Sequence, residues 1–177
     1  MQLEINVVDA FSNTIFKGNA AAVIITDSWL DDELMQSIAM ENNLSETAFL
    51  VADKLDSLSS KAHLDKIVSY HIRWFSPLTE IAFCGHATLA SAFVLFKKNP
   101  NLNIIKFLAK AVGTLTVIQT DSGLIQMDFP NTKPVKVGTI PDNLLAGLSI
   151  APVEVYKNSQ AYFVIYDNES DVLKVER

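Results

Sequence analysis

The chain has 177 residues, 49% of them hydrophobic and 19% charged, with a formal net charge of −6. That is enough apolar material for a real core in one domain or two small ones, while the acidic balance and scattered cations lack the basic footprint of a nucleic-acid binder. The lone cysteine, Cys84, excludes an internal disulfide framework and fits a reducing, cytoplasmic setting.

Near the N-terminus, Leu3 to Val7 alternates apolar and polar residues, the mark of a half-buried strand. Ala20 to Thr26 reads as a second strand, entered through Gly18-Asn19. A helix follows, with Ser28 and Asp31 as capping groups, acids Asp31, Asp32 and Glu33 in its first turn, and Leu34, Met35, Ile38 and Ala39 at helical spacing. Thr47 to Ala52 and Ile67 to Phe75 are expected to be strands, the latter with Val68, Tyr70, Ile72 and Trp74 on one face.

After Gly85, the run Ala87 to Phe96 combines helix formers with no charge, and Lys97 and Lys98 close it where the helix dipole favours cations. A helix apolar on every side must be surrounded by protein, so a sheet is expected to enclose it. The longest stretch without Asp, Glu, Lys or Arg, Ile81 to Phe96, is too short for a membrane span, and no signal peptide is evident. Further strands are expected over Ile104 to Lys110, Leu115 to Thr120, Leu124 to Phe129, Val153 to Tyr156 and Tyr162 to Tyr166. Asp121-Ser122-Gly123 makes a hairpin turn, and a short helix begins near Pro141-Asp142. The pattern predicts an α+β chain, a mixed β-barrel around a central helix near 86–98, with a first domain over 1–117 and a similar second one beginning at 118.

Two segments could carry chemistry. In Glu41 to Phe49, Glu46 sits where a polar helix exit meets an apolar strand, and a desolvated carboxylate there would gain a pKa useful for proton transfer. Local sequence leaves the plainer alternative open, in which Asn43 or Ser45 caps a turn and Glu46 bonds a nearby backbone N–H. In Cys84-Gly85-His86-Ala87-Thr88, a glycine before a helix lets a ligand approach backbone N–H groups that attract anions. His86 could orient a carboxylate there or simply hydrogen-bond within the core. Cys84 could be a reactive thiolate or an inert small hydrophobe. His63 and His71 show no partner spacing, and neither a metal-ligand spacing nor a phosphate or dinucleotide motif occurs.

The ordered segments Val8 to Phe11, Phe16 to Val23, Glu41 to Phe49, Tyr70 to Pro77 and Cys84 to Ala90 resemble the PhzF-like (phenazine biosynthesis-like) isomerase family. The resemblance implies a diaminopimelate-epimerase-like fold of two similar domains, each a barrel around a helix, with the active site between them. It implies Glu46 as the residue that moves a proton between carbons of a small cyclic or amino-acid-like carboxylate, with Ser45, Gly85 and His86 lining the same site. It further implies no cofactor, no metal, and a homodimer. Ala20 departs from the family, which usually has proline there. The family's Asp-Pro-x-Thr-Gly-Ser-Ala segment has no counterpart before Arg177, so the second domain is expected to be incomplete and the site to have one wall. Two alternatives stand beside the isomerase: a racemase or epimerase using Cys84, and a catalytically incomplete half-protein acting as a binding module.

Overall fold

The computed structural model describes residues 2–53, 67–129 and 131–176; His63 lies outside them. The chain forms two compact units, Met1–Phe129 and Pro130–Arg177.

The first unit is built on two nearly continuous apolar runs, β2 (Asn19–Thr26) and β3 (Glu46–Ala52). Such runs suit strands covered on both faces, and here they pair in parallel, from Ala21 opposite Glu46 to Thr26 opposite Val51. Parallel neighbours need a crossover, which α1 (Asp32–Asn42) supplies. Asn43 ends that helix in the left-handed region at φ 50°, its N–H returning to the Ala39 carbonyl. Asp31 takes the N-cap position, but its side chain makes no capping bond. The expected cap from Ser28 is also not formed: Ser28 lies before the helix, and its carbonyl accepts the Thr26 hydroxyl.

Beside β2 lies β1 (Ile5–Ala10), and the other strands are β4 (Ile67–Phe75), β5 (Glu80–Ile81), β6 (Ile104–Ala109), β7 (Gly113–Gln119) and β8 (Ile125–Met127). The order is β1-β2-β3-β4-β6-β7-β8, with β5 added on β4. Helix α2 (Gly85–Lys98) packs on β1, β2 and β3 and also on β8, at the far end of the strand order. The sheet therefore curls around the helix. It is not the closed barrel expected, since no pairing joins β1 to β8 among the described residues. At that seam a groove of about 620 Å³ runs between Val7–Ile15 and Gly123–Ile125, with Leu89, Phe93 and Lys97 of α2 along its floor. Enclosure of the helix is thus incomplete, and Phe93 is exposed.

Two apolar clusters fill the two faces. On the concave face Val23, Leu50, Ile72, Trp74, Leu95, Phe96, Ile105, Phe107 and Val117 surround α2. On the outer face Ile24, Phe49 and Phe75 meet Met35 and Ala39 of α1. As expected, Ile72 and Trp74 are buried in the inner cluster, with Val68 and Tyr70 packed against it. The expected phase of β1 is reversed: Ala10 is buried and Val8 packs inward, while Ile5 and Val7 are exposed. The strand also begins and ends later than its alternation suggested, because pairing of Val8 with Ala21 and Ala10 with Asn19 sets the register.

The Asp121–Gly123 turn forms as expected, with Gly123 at φ 83° and its N–H on the Thr120 carbonyl. The predicted division at 117/118 falls inside β7, whose pairing with β6 and β8 keeps it in the first sheet. The second unit holds a three-stranded antiparallel sheet of β9 (Val135–Lys136), β10 (Glu154–Lys157) and β11 (Tyr162–Ile165). It also has two short helices, α3 (Asp142–Ala146) and α4 (Glu169–Lys174).

Candidate active site

Glu46 is the first residue of β3, paired with Ala21 at the end of β2 where Asn19 and Ala20 enter the sheet. Ser45 lies just before it and donates its hydroxyl to Asn19 Oδ1 at 3.3 Å. Asn42, in the last turn of α1, reaches Thr47 Oγ1 at 3.4 Å. The tight turn that ends at Asn43 therefore delivers Glu46 to the strand start with its neighbours already bonded elsewhere. Cys84 occupies the N-cap position of α2, and Gly85 and His86 open the helix. That end is fastened by Thr88, whose hydroxyl donates to the Cys84 carbonyl at 2.6 Å, and by Ser91, which donates to the Ala87 carbonyl at 2.7 Å.

The curl of the sheet brings these two chain segments together. His86 Nε2 lies 3.1 Å from Glu46 Oε2, with side-chain exposures of 10% and 19%. The approach is close but off the line that a ring N–H needs, and neither atom has a hydrogen-bond partner among the described residues. On the other side of the ring, Nδ1 lies 3.3 Å from the Cys84 sulfur. Burial, above all, pushes the Cys84 thiol up to about 11, and the nearby Glu46 charge adds to it. Backbone N–H groups of Ala87 and His86 oppose the rise without cancelling it.

The structure thus brings Glu46, Ser45, Gly85, His86 and Cys84 to one corner of the first unit. The linear sequence gave no metal-ligand spacing, yet donor atoms of Glu46, Cys84 and His86 lie within 4.8 Å of one another. Carboxylate, thiolate and imidazole together are a donor set that zinc accepts. Glu46 and Cys84 approach different nitrogens of the one ring. Of the two approaches to the ring, that of the Cys84 sulfur has hydrogen-bond geometry and that of the Glu46 carboxylate does not. At Gly85 an added Cβ would meet nothing closer than Phe83 Cζ at 3.9 Å. The protein's own packing does not demand glycine there, and its backbone is left open to a ligand.

Asn19 is a neighbour that sequence reasoning treated only as a strand entry; its place in the corner follows from the β2–β3 register. His71 lies apart, in a groove of about 560 Å³ on the outer side of the sheet with Trp29, Asp32, Arg73 and Glu80. There Arg73 bridges Asp32 and both Glu80 oxygens at 2.7 Å, which ties α1, β4 and β5 together and saturates its charge. No described helix is long and apolar enough to cross a membrane.

The profile of the family described as phenazine biosynthesis-like protein matches residues 8–172. A Pseudomonas aeruginosa protein described as an uncharacterized isomerase is 43% identical over 172 residues, covering 97% of this chain and 60% of that relative. The phenazine biosynthesis-like domain-containing protein of Homo sapiens is 41% identical over 130 residues, 73% of this chain and 43% of that protein. Among solved structures, a PhzF-family phenazine biosynthesis protein of Enterococcus faecalis superposes with a TM-score of 0.79 at 37% identity, over 99% of this chain and 61% of that one. These neighbours and the curled mixed sheet fit a diaminopimelate-epimerase-like fold. The chain spans about three fifths of the length of the Pseudomonas relative.

Proposed function

The chain belongs to the phenazine biosynthesis-like (PhzF) family, and from that premise we propose that it supplies one wall of an isomerase active site, in which Glu46 moves a proton on a small carboxylate substrate. The observation that carries this reading is the close, unsatisfied pair of Glu46 Oε2 and His86 Nε2 in a nearly dry corner. A carboxylate oxygen with no protein partner is free to meet a substrate hydrogen placed beside it, the geometry that a general base needs.

In this reading the substrate carboxylate is drawn to the N-terminal end of α2, where backbone N–H groups and the helix dipole favour an anion. Gly85 allows close approach, Ser45 borders the site, and His86 hydrogen-bonds the substrate's polar group. Glu46 removes a proton from a carbon activated by the neighbouring unsaturation. The double bond shifts, and the Glu46 carboxyl, whose proton exchanges with solvent while it is held, returns a proton to a different carbon. One C–H bond breaks, another forms, and no electrons leave the substrate, so the step calls for no redox cofactor. Names among the relatives agree with an isomerase.

The test is hydrogen exchange. A polypeptide of the relatives' length, incubated in heavy water with a panel of unsaturated amino acids and cyclic carboxylates, should exchange a carbon-bound hydrogen of its substrate, followed by proton NMR. Glu46→Gln should lower that exchange by about a hundredfold or more, the range of a lost general base. Undiminished exchange in the variant would sink the assignment.

A further inference from the structure

The proposed mechanism leaves Cys84 without a task, although its sulfur lies 3.3 Å from Nδ1 on the far side of the His86 ring. The hydrogen positions on that ring follow from its two neighbours. A bare lone pair on Nε2 would face the Glu46 carboxylate oxygen, itself rich in lone pairs, at 3.1 Å in a buried setting. Two acceptors held that close without water repel, so opposite an ionised Glu46 the ring carries hydrogen on Nε2. Nδ1 then has two options. Either it accepts a hydrogen from the Cys84 S–H, and the ring is neutral, or it carries a hydrogen of its own, and the ring is a cation giving to sulfur.

We infer that Cys84 is a positioning residue: its thiol donates to His86 Nδ1 and thereby holds the ring as the neutral tautomer with hydrogen on Nε2, aimed into the site. Three observations carry this. The sulfur lies 3.3 Å from Nδ1, within the reach of a sulfur hydrogen bond. The thiol is buried and keeps its proton, so it has a hydrogen to give. His86 is nine-tenths buried with Nε2 unpartnered, so the Nε2 hydrogen is given to no other group among the described residues. The other groups near the ring are Glu46, which faces Nε2, and the Ala87 and His86 N–H groups, which act on the sulfur. Glu46 also lies within reach of the thiol and is the rival acceptor for its hydrogen, the arrangement that an unchanged ring in Cys84→Ala would reveal.

The consequence for the proposed reaction is a division of labour. A neutral Nε2–H gives a hydrogen bond to the substrate without neutralising Glu46, which stays free to act as base. This rests on the isomerase reading for its purpose, but not for its test, which needs no substrate.

The test is imidazole nitrogen-15 NMR on the 177-residue chain with labelled histidine, the His86 signals being assigned by their loss in His86→Asn. At neutral pH the native protein should show a pyrrole-type Nε2 and a pyridine-type Nδ1. Cys84→Ala should move both resonances toward the average of the two tautomers, and Cys84→Ser, which keeps a donor, should restore the native pattern. A pyrrole-type Nδ1 in the native protein, whether from the opposite tautomer or the cation, overturns the inference. So does an unchanged pattern in Cys84→Ala. Should the alanine variant not fold, the native spectrum and the serine variant still decide. Exchange activity that depends on Glu46 would survive such a failure, so the two ideas fall separately.

Discussion

Cys84 shows how a residue's setting decides its chemistry. Its burial and the Glu46 charge raise the folded thiol from an ordinary 9.0 to about 11. A raised folded pKa means that the associated stability is fully present below the unfolded value and is lost as pH climbs through the folded one. Native protein should therefore lose melting temperature relative to Cys84→Ser between pH 9 and about 11, and the two should run parallel below that window, as thermal melts would show. Iodoacetamide should likewise label the native thiol slowly at neutral pH, since the thiolate is the nucleophile. Rapid labelling would favour the reading in which Cys84 itself is the base. At this scale sequence reached the residues but not their relation. The plainer reading had Asn43 or Ser45 cap a turn and Glu46 bond a backbone N–H; Asn43 instead closes α1 in the left-handed region, and one Glu46 oxygen is left unbonded. The meeting of Glu46 with His86 depends on the register of β3 and the seat of α2, and no local pattern records either.

Elements were legible where one face was strongly apolar, and less so elsewhere. The uncharged run after Gly85 announced a buried helix, and alternation in Ile67–Phe75 announced the inward face of β4. The phase of β1 was misread because an edge strand bearing small inward residues, Val8 and Ala10, offers less contrast than its exposed Ile5 and Val7. The short β9 and α4 have too few residues for periodicity; α4 rests on the Asn168 cap, which accepts the Asp171 N–H. Two substitutions probe the elements. Phe49 is fully buried and meets Phe75 edge to face at 5.5 Å beneath α1, so Phe49→Ala should cost about 3–5 kcal/mol in denaturant unfolding. Gly18 lies against β1, and an added Cβ would stand 2.3 Å from the Ala10 carbonyl oxygen. Gly18→Ala should cost about 1–3 kcal/mol, as overpacking does, and should disturb the β1–β2 hairpin that carries Asn19 toward the site.

For the whole molecule, the division after Phe129 separates unlike partners. Both large apolar clusters lie within the first unit, whereas Val155 is the one buried residue among those described in the second. The second unit leaves Val135, Val153, Phe163, Ile165, Val172 and Leu173 exposed. A three-stranded sheet needs an apolar face covered to stand alone. A fragment of residues 1–129 should therefore keep a single cooperative melt, and one of residues 130–177 should show none in circular dichroism. A strand run carries no mark of which sheet it joins. β8 lies beyond the expected division at 117/118, and its pairing with β7, itself paired with β6, ties it to the first sheet.

The indole of Trp74 lies in the inner cluster beside Phe83, 2% exposed, its Nε1 without a hydrogen-bond partner among the described residues. An excited indole in so dry a setting has no mobile dipoles to relax against, so it emits toward the blue. The second tryptophan, Trp29, stands at the surface under the Arg73 guanidinium. Removing Trp29 by substitution with phenylalanine would leave a single chromophore in the cluster that also holds Cys84 and Ala87. Its colour would then report, without any label, the moment water first reaches the root of α2.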